Sequence, residues 1–275
     1  MEKNLSVKPQ VTVLMPAYNA AETIAKAVES VSGQLYDDFE FLIINDGSED
    51  DTAKVVENVA DERIRYLEND SNLGIQKTLN RGIRESKGKY IARIDADDSW
   101  VEREKLKEQV AFLENNPDHV LVGTGAIVTN EDGDELFRYK NPATDYEIRQ
   151  QILGKNCFLH PSVVYRKSAV DQVGLYDESE ACLHIEDYDL WLRMGMIGKL
   201  ANLKMYGIVY RKSDMQISSQ NKMTQLRGYL RLIRKYKDNY PGYWKALFRS
   251  YVRIYLYGWL RFDELKKWLA NWKLL

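Results

Sequence analysis

Residues 90–100 read YIARIDADDSW, with three carboxylates, Asp95, Asp97 and Asp98, in four positions directly after a short apolar run. Carboxylates this close, without basic partners, raise one another's pKa unless a cation neutralises them. Asp95 and Asp97 lie two apart, so an extended backbone would point both the same way. An oxygen-only set suits Mg²⁺ or Mn²⁺, which keep several waters and commonly bridge to substrate phosphates. The pattern fits equally well a solvated loop that caps a helix starting at Val101. A calcium loop is excluded, because its sixth position would be Trp100 in place of glycine and its twelfth Leu106 in place of glutamate.

The position of these residues depends on the elements before them. VTVLMPAY (11–18) is an apolar, β-branched run ended at a proline, which predicts a buried strand. Asn19, three residues before Glu22, predicts a capping-box start for a helix carrying Ile24, Val28 and Val31. FEFLIIND (39–46) predicts a second strand, and Ser48 a cap for the helix through Val55, Val56 and Val59. RIRYLEN (63–69) predicts a third strand, leading through Asn72 and Gly74 into a helix carrying Ile75, Leu79 and Ile83. YIARID is the fourth strand and VLVGTGAIVT (120–129) the fifth. Strands alternating with helices predict an α/β fold whose mostly parallel sheet is covered on both faces.

Open parallel sheets bind ligands beyond the carboxyl ends of their strands. Four such ends follow one another: Pro16-Ala17-Tyr18-Asn19, Asp46-Gly47-Ser48, Asn72-Leu73-Gly74 and Asp95-Ala96-Asp97-Asp98. Gly47 and Gly74 allow close backbone approach, and helix N-termini just beyond them attract phosphate. Tyr18 offers a ring to stack on a base, and Asp46 an acceptor for a base N–H. Taken singly, Tyr18 is a packed aromatic and Asp46-Gly47 a turn. The chain has neither G-x-G-x-x-G nor G-x-x-x-x-G-K-[ST], so neither a dinucleotide fold nor a P-loop is supported.

The 275 residues suffice for one large domain, with or without a small appendage, and 44% hydrophobic with 29% charged content is ordinary for a globular protein. The net charge of −2 conceals an asymmetry: from Lys222 onward there are 13 basic and 3 acidic residues, leaving 26 and 38 in the first 221. Cys157 and Cys182 fit neither a disulfide framework nor zinc spacing, so a reducing compartment is expected. MEKNLSVKPQ lacks the apolar segment of a signal peptide, and no apolar run approaches the roughly 20 residues that cross a bilayer.

VTVLMPAYNAAETIAKAVESV, FLIINDGSEDDT, NLGIQKTLNRGI and GKYIARIDADD resemble, in order and spacing, the nucleotide-sugar domain of family 2 glycosyltransferases. FLHPSVVYRK (158–167), VGLYDE (173–178) and IEDYDLWLR (185–193) are similar to that family's acceptor-side segments, so the resemblance covers about residues 9–212. It implies a GT-A fold that moves a sugar, with inversion, from a nucleotide diphosphate sugar such as a UDP-sugar to a saccharide or lipid-linked saccharide. On the donor side it implies Pro16, Ala17, Tyr18, Asn19, Asp46, Asn72, Gly74, Asp95 and Ala96, with Asp46 meeting the base. Asp95 and Asp97 would form the D-x-D element, and Asp97 with Asp98 would hold Mn²⁺ or Mg²⁺. Asp187 would be the catalytic base, with His160, Glu186 and Trp191 on the acceptor side. Without the resemblance, Glu186 and Asp187 are first-turn carboxylates favoured by the helix dipole. His184 is expected to be structural, and Glu131-Asp132-Gly133-Asp134 a hairpin turn without chemistry.

The expected organisation is a GT-A domain over 1–219, with a nucleotide-sugar part at about 9–130 and an acceptor part at about 131–219, followed by a helical tail over 220–275. The tail is helical by periodicity and interrupted at Pro241-Gly242; Tyr229 to Trp272 holds 13 of the 31 aromatics. Leu226, Leu230 and Ile233 share one face, and Leu265, Trp268, Leu269 and Trp272 another. Basic helices bearing Trp and Tyr suit an anionic membrane surface. Packing on the sheet domain, or on another subunit in an oligomer, suits them as well. The acidic first part of the chain argues against nucleic acid. A cytoplasmic enzyme at the inner face of the cell membrane, acting in bacterial polysaccharide synthesis, is expected. The alternatives are a nucleotidyltransferase with a similar metal site and a non-catalytic sugar-nucleotide scaffold.

Overall fold

The computed structural model describes residues 8–212 and 221–259. Two apolar runs form its centre: β1 (Val11–Ala17) and β2 (Phe39–Asn45) are parallel, and every residue of both is buried. Alternate side chains sort into two cores. Val13 and Met15 join Phe41 and Ile43 on one face of the sheet; Leu14 joins Leu42 and Ile44 on the other. Helix α1 (Ile24–Ser32) covers the first face with Ile24, Val28 and Val31. After α2 (Thr52–Glu57) and β3 (Ile64–Glu68), helix α3 (Ile75–Glu85) covers the second with Leu79 and Ile83. Helix α3 lies so close to β1 that a Cβ on Gly82 would stand 2.3 Å from Leu14 Cδ1.

With β4 (Tyr90–Arg93), the strands order β3-β2-β1-β4, all parallel, so their carboxyl ends share one edge. The chain continues through β5 (Ser99–Trp100), α4 (Lys105–Asn115), β6 (His119–Thr129), β7 (Glu135–Tyr139) and α5 (Asp145–Arg149). Then come β8 (Val164–Arg166), α6 (Lys167–Val173), α7 (Glu186–Ile197) and β9 (Lys199–Arg211). Beyond β4 the sheet runs β8-β6-β9-β5, with β6 and β9 parallel and β8 antiparallel to both β4 and β6. The expected fifth strand is β6, and β8 stands between it and β4. The Glu131–Asp134 segment makes the hairpin to β7, with Gly133 at φ +92°.

Three local expectations are corrected. Asn19 does not cap α1, which starts at Ile24; it sits at φ +47° and its Oδ1 accepts from Glu49 N at 2.9 Å. Ser48 does not cap α2, because it is drawn back onto Asn45 Oδ1 by both its backbone N–H and its hydroxyl. No helix starts at Val101: Ser99–Trp100 pairs with β9, and α4 begins at Lys105. The acidic turn is therefore not a helix cap.

After the undescribed residues 213–220, helices α8 (Lys222–Lys235) and α9 (Tyr243–Trp259) are separated at Pro241-Gly242, where Gly242 takes φ +82°. Leu226 and Ile233 are buried, as are Leu232, Tyr236, Tyr240 and Ala246. Helix α8 packs on α7. Gly228 admits Ile185, Tyr229 meets Tyr188 edge-on at 5.2 Å, and Tyr240 Oη donates to Leu192 O at 2.6 Å. The expected face of Leu265, Trp268, Leu269 and Trp272 lies outside the described residues. Among the described residues no helix is long and apolar enough to cross a membrane.

Candidate active site

The carboxyl ends of β1, β2 and β3 enclose a cleft of about 520 Å³, lined by Tyr18, Gly47, Ser48, Asn69 and Asn72 among others. Tyr18 is 46% exposed, with its ring open to a ligand. Asp46 does not line the cleft. It is buried, and its carboxylate accepts from Asn69 Nδ2 (2.6 Å), Leu73 N and Gly74 N (3.0 Å each), which fixes the loop before α3. Asn72 Oδ1 accepts from Gly74 N as well, and Gly74 turns into α3 at φ +87°. Gly47 is required by close approach, since a Cβ there would stand 2.6 Å from Ser71 C. Pro16 and Ala17 lie within β1, buried, and do not reach the cleft wall. Asn69, at the end of RIRYLEN, was not foreseen; a polar side chain at the mouth of a strand is the signal that marks it.

Beyond β4 the acidic residues leave the extended strand. Asp98 N donates to Asp95 O at 3.2 Å, so Asp95–Asp98 is a turn and the same-side argument for Asp95 and Asp97 does not hold. Nor is the cluster without a basic partner. Arg93, fully buried, places Nη2 2.5 Å from Asp95 Oδ1 and Nη1 on the carbonyls of Leu14 (2.7 Å) and Ile94 (2.8 Å). Its Nε donates to His160 Nε2 at 3.2 Å, and the same nitrogen lies 2.7 Å from Tyr176 Oη. Burial and the Arg93 charge hold the imidazole well below its usual pKa, so it is neutral, with Nε2 accepting and the proton assigned to Nδ1. The visible signal for Arg93 is a lone charge inside an apolar strand.

Asp98 is buried. Its Oδ1 accepts from Arg211 N at 3.1 Å, and its Oδ2 has no hydrogen-bond partner among the described residues. Burial, then the Asp97 and Asp95 charges, raise its carboxyl well above the usual range. An orphaned carboxylate oxygen among like charges is what a hard divalent cation satisfies, so the residues fit Mg²⁺ or Mn²⁺. A second acidic set, Asp177, Cys182 and Asp189, has ligand atoms within 4.8 Å of one another. Asp189 is already neutralised there by Arg193 (2.7 Å) and Lys235 (3.0 Å), and it accepts from Tyr236 Oη at 2.8 Å. That set anchors α8.

Glu186 and Asp187 open α7. Asp187 remains partly exposed; its Oδ1 accepts from Tyr188 N (2.6 Å) and its Oδ2 from Asn156 Nδ2 (2.9 Å). Burial raises its carboxyl to about 6 against those hydrogen bonds, with the Asp95 charge adding to the rise. Burial, followed by the Asp187 charge, pushes Glu186 to about 8, and its Oε2 has no hydrogen-bond partner among the described residues. The Asp95 charge adds to the rise of both carboxyls, and Arg93 and His160 link Asp95 to Trp191 on the same helix. Trp191, i+4 from Asp187, is fully buried, with its ring 5.8 Å from His160 and 6.2 Å from Phe158. It supports the site from within the core and is closed to solvent. Asn156 carried no sequence signal, since its loop meets α7 only in the fold.

A family model described as glycosyl transferase family 2 matches residues 12–174. The amylovoran biosynthesis glycosyltransferase AmsE of Erwinia amylovora is 31% identical over 242 residues, 80% of this chain and 88% of that one. WfgD of Escherichia coli, named a UDP-Glc:alpha-D-GlcNAc-diphosphoundecaprenol beta-1,3-glucosyltransferase, is 31% identical over 219 residues, 79% of this chain and 82% of that one. Against EpsE of Bacillus subtilis the matched span is 66% of that protein's length. The mannosyltransferase PcManGT of Pyrobaculum calidifontis, solved with GDP-Man and Mn²⁺, superposes with a TM-score of 0.64 at 18% identity, over 91% of this chain and 70% of that one. At that identity the likeness establishes the fold, which is GT-A. A match over more than half of the chain, carried on the same strand ends that build the cleft and the acidic turn, places this protein in glycosyl transferase family 2.

Proposed function

We propose that the protein transfers a sugar, with inversion, from a UDP-sugar to a saccharide carried on a lipid diphosphate, in bacterial polysaccharide synthesis at the cytoplasmic face of the membrane. The observation that carries this reading is the run of contacts from Asp95 through Arg93 and His160 to Trp191, which joins the acidic turn to the helix that opens with Glu186 and Asp187. The names of WfgD and AmsE support the class of donor and acceptor.

Tyr18 stacks on the base, and the Asp46-held loop closes one side of the cleft. Asp97 and Asp98 would hold a Mn²⁺ or Mg²⁺ ion, which supplies positive charge to the departing diphosphate. Arg93 pins Asp95 at the turn. Asp187, with its carboxyl near 6, is deprotonated at neutral pH and still basic enough to take the acceptor hydroxyl's proton. Glu186, near 8, keeps its proton there, so one member of the pair carries charge.

Incubation with UDP-sugars and Mn²⁺ should give slow hydrolysis alone and transfer when a diphosphate-linked saccharide is added. The product anomer, read by NMR, should be opposite to the donor's. Retained configuration, or a rate indifferent to chelator, would overturn the reading.

A further inference from the structure

Helix α9 presents three faces at helical spacing. Ala246 and Ser250 are buried and face the protein. Trp244 (77% exposed), Phe248 (69%), Tyr251 (47%) and Tyr255 (54%), at i, i+4, i+7 and i+11, form a row open to solvent. Lys245, Arg249 and Arg253 repeat every fourth residue between these two faces, and α9 contains no Asp or Glu. Single exposed aromatics are ordinary, but a contiguous row of four marks a contact surface. With three basic residues on its length, α9 is not apolar enough to cross a membrane.

Its place relative to the catalytic residues is specific. Arg253 Nη1 donates to Gly154 O at 3.3 Å, and a Cβ on Gly154 would stand 3.2 Å from Ala246 Cβ. Two residues further on, Asn156 holds Asp187. The basic row therefore borders the loop that positions the proposed base.

We propose that the outward face of α9 docks the protein on an anionic lipid bilayer, with the aromatic row at the headgroup–acyl boundary and the basic row on the headgroup phosphates. Charge complementarity selects this occupant, since the face joins exposed aromatics to a basic row and α9 carries no acidic residue to repel anionic headgroups. The inference rests on the lipid-linked acceptor for its purpose: a saccharide rising from that bilayer enters beside Gly154–Asn156.

The test is co-sedimentation of the full-length protein with vesicles of about one-third phosphatidylglycerol in phosphatidylcholine, against pure phosphatidylcholine, at low salt. The wild type should bind the anionic vesicles only. K245Q/R249Q should weaken binding roughly 25-fold, at about fivefold per basic residue, and reduce its salt sensitivity. W244S/F248S should weaken it by about tenfold or more while the salt sensitivity stays. Both variants should keep the melting temperature, UDP-sugar binding and transfer to a soluble saccharide. Wild-type protein that ignores anionic vesicles, or either variant binding within about twofold of wild type, overturns the docking surface. If instead W244S/F248S dissociates a dimer in solution and leaves vesicle binding unchanged, the face pairs two copies and the proposal fails. Vesicle binding that persists in a protein unable to transfer any sugar would sink the catalytic reading and leave the docking surface standing.

Discussion

Asn156 donates its side-chain amide to Asp187 Oδ2 at 2.9 Å, and this bond holds the Asp187 carboxyl down against the burial that raises it. Asn156→Ala removes a hydrogen bond to the charged form. The acid limb of the kcat/KM profile should then move up from about pH 6 by roughly one unit, the shift such a bond is worth. A merely structural loss would lower the rate without moving the limb, so an unmoved limb refutes the pairing.

Asp187→Asn keeps the size and an oxygen for one of the two donors, Tyr188 N and Asn156 Nδ2, but cannot accept a proton. Transfer should fall about a hundredfold or more, while UDP affinity by calorimetry stays within about twofold. Near-normal turnover would shift the base to another group, first to Glu186, which gives up its proton more readily once the Asp187 charge is gone.

Asp98→Asn should stabilise the metal-free protein and abolish the gain in melting temperature from Mn²⁺ with UDP. The sign follows from a folded-state pKa above the unfolded value: ionisation at neutral pH opposes folding, and the amide removes it. The Arg211 N–H keeps an oxygen acceptor. A variant that still responds to Mn²⁺ like the wild type would take Asp98 out of the metal site.

Arg93→Met fills similar space but leaves the Leu14 and Ile94 carbonyls, Asp95 and His160 without their donor. The loss in urea unfolding should be about 3–5 kcal/mol, the range for one partner removed from a buried pair. A loss below about 1 kcal/mol would show that water replaces the guanidinium freely.

Glu186 titrates near 8 in the fold and near the ordinary glutamate value when unfolded. A raised carboxyl binds its proton more tightly in the folded state, so stability falls as pH rises from about 4.5 to about 8. Glu186→Gln should flatten that slope, read as the difference in urea midpoint between the ends of the window. Equal slopes in both proteins would contradict the burial of this carboxyl.

The first four strands and the rim of their carboxyl ends were legible because apolar runs and helical spacing are local; the order of the sheet beyond β4 was not. Val11–Ala17 and Phe39–Asn45 could only be buried strands, and Leu79 and Ile83 only an inward helix face. What escaped a linear reading depends on partners far along the chain. Asn19 and Ser48 fit capping patterns, yet each found a stronger partner in a neighbouring loop, Glu49 N and Asn45 Oδ1. The acidic turn read as unpaired charge because its counter-ion, Arg93, looked like one misfit in a strand; burial turned that misfit into the centre of a network reaching His160 and Tyr176. Trp191 carried the right spacing from Asp187, but which face of α7 meets solvent is set by the packing of α8 and β6, and that packing closed it in. Periodicity marked the tail as helical and amphipathic. Only packing divided it into one helix buried on α7 and one with an aromatic row left outside, because burial is a property of what else the chain brings to the same place.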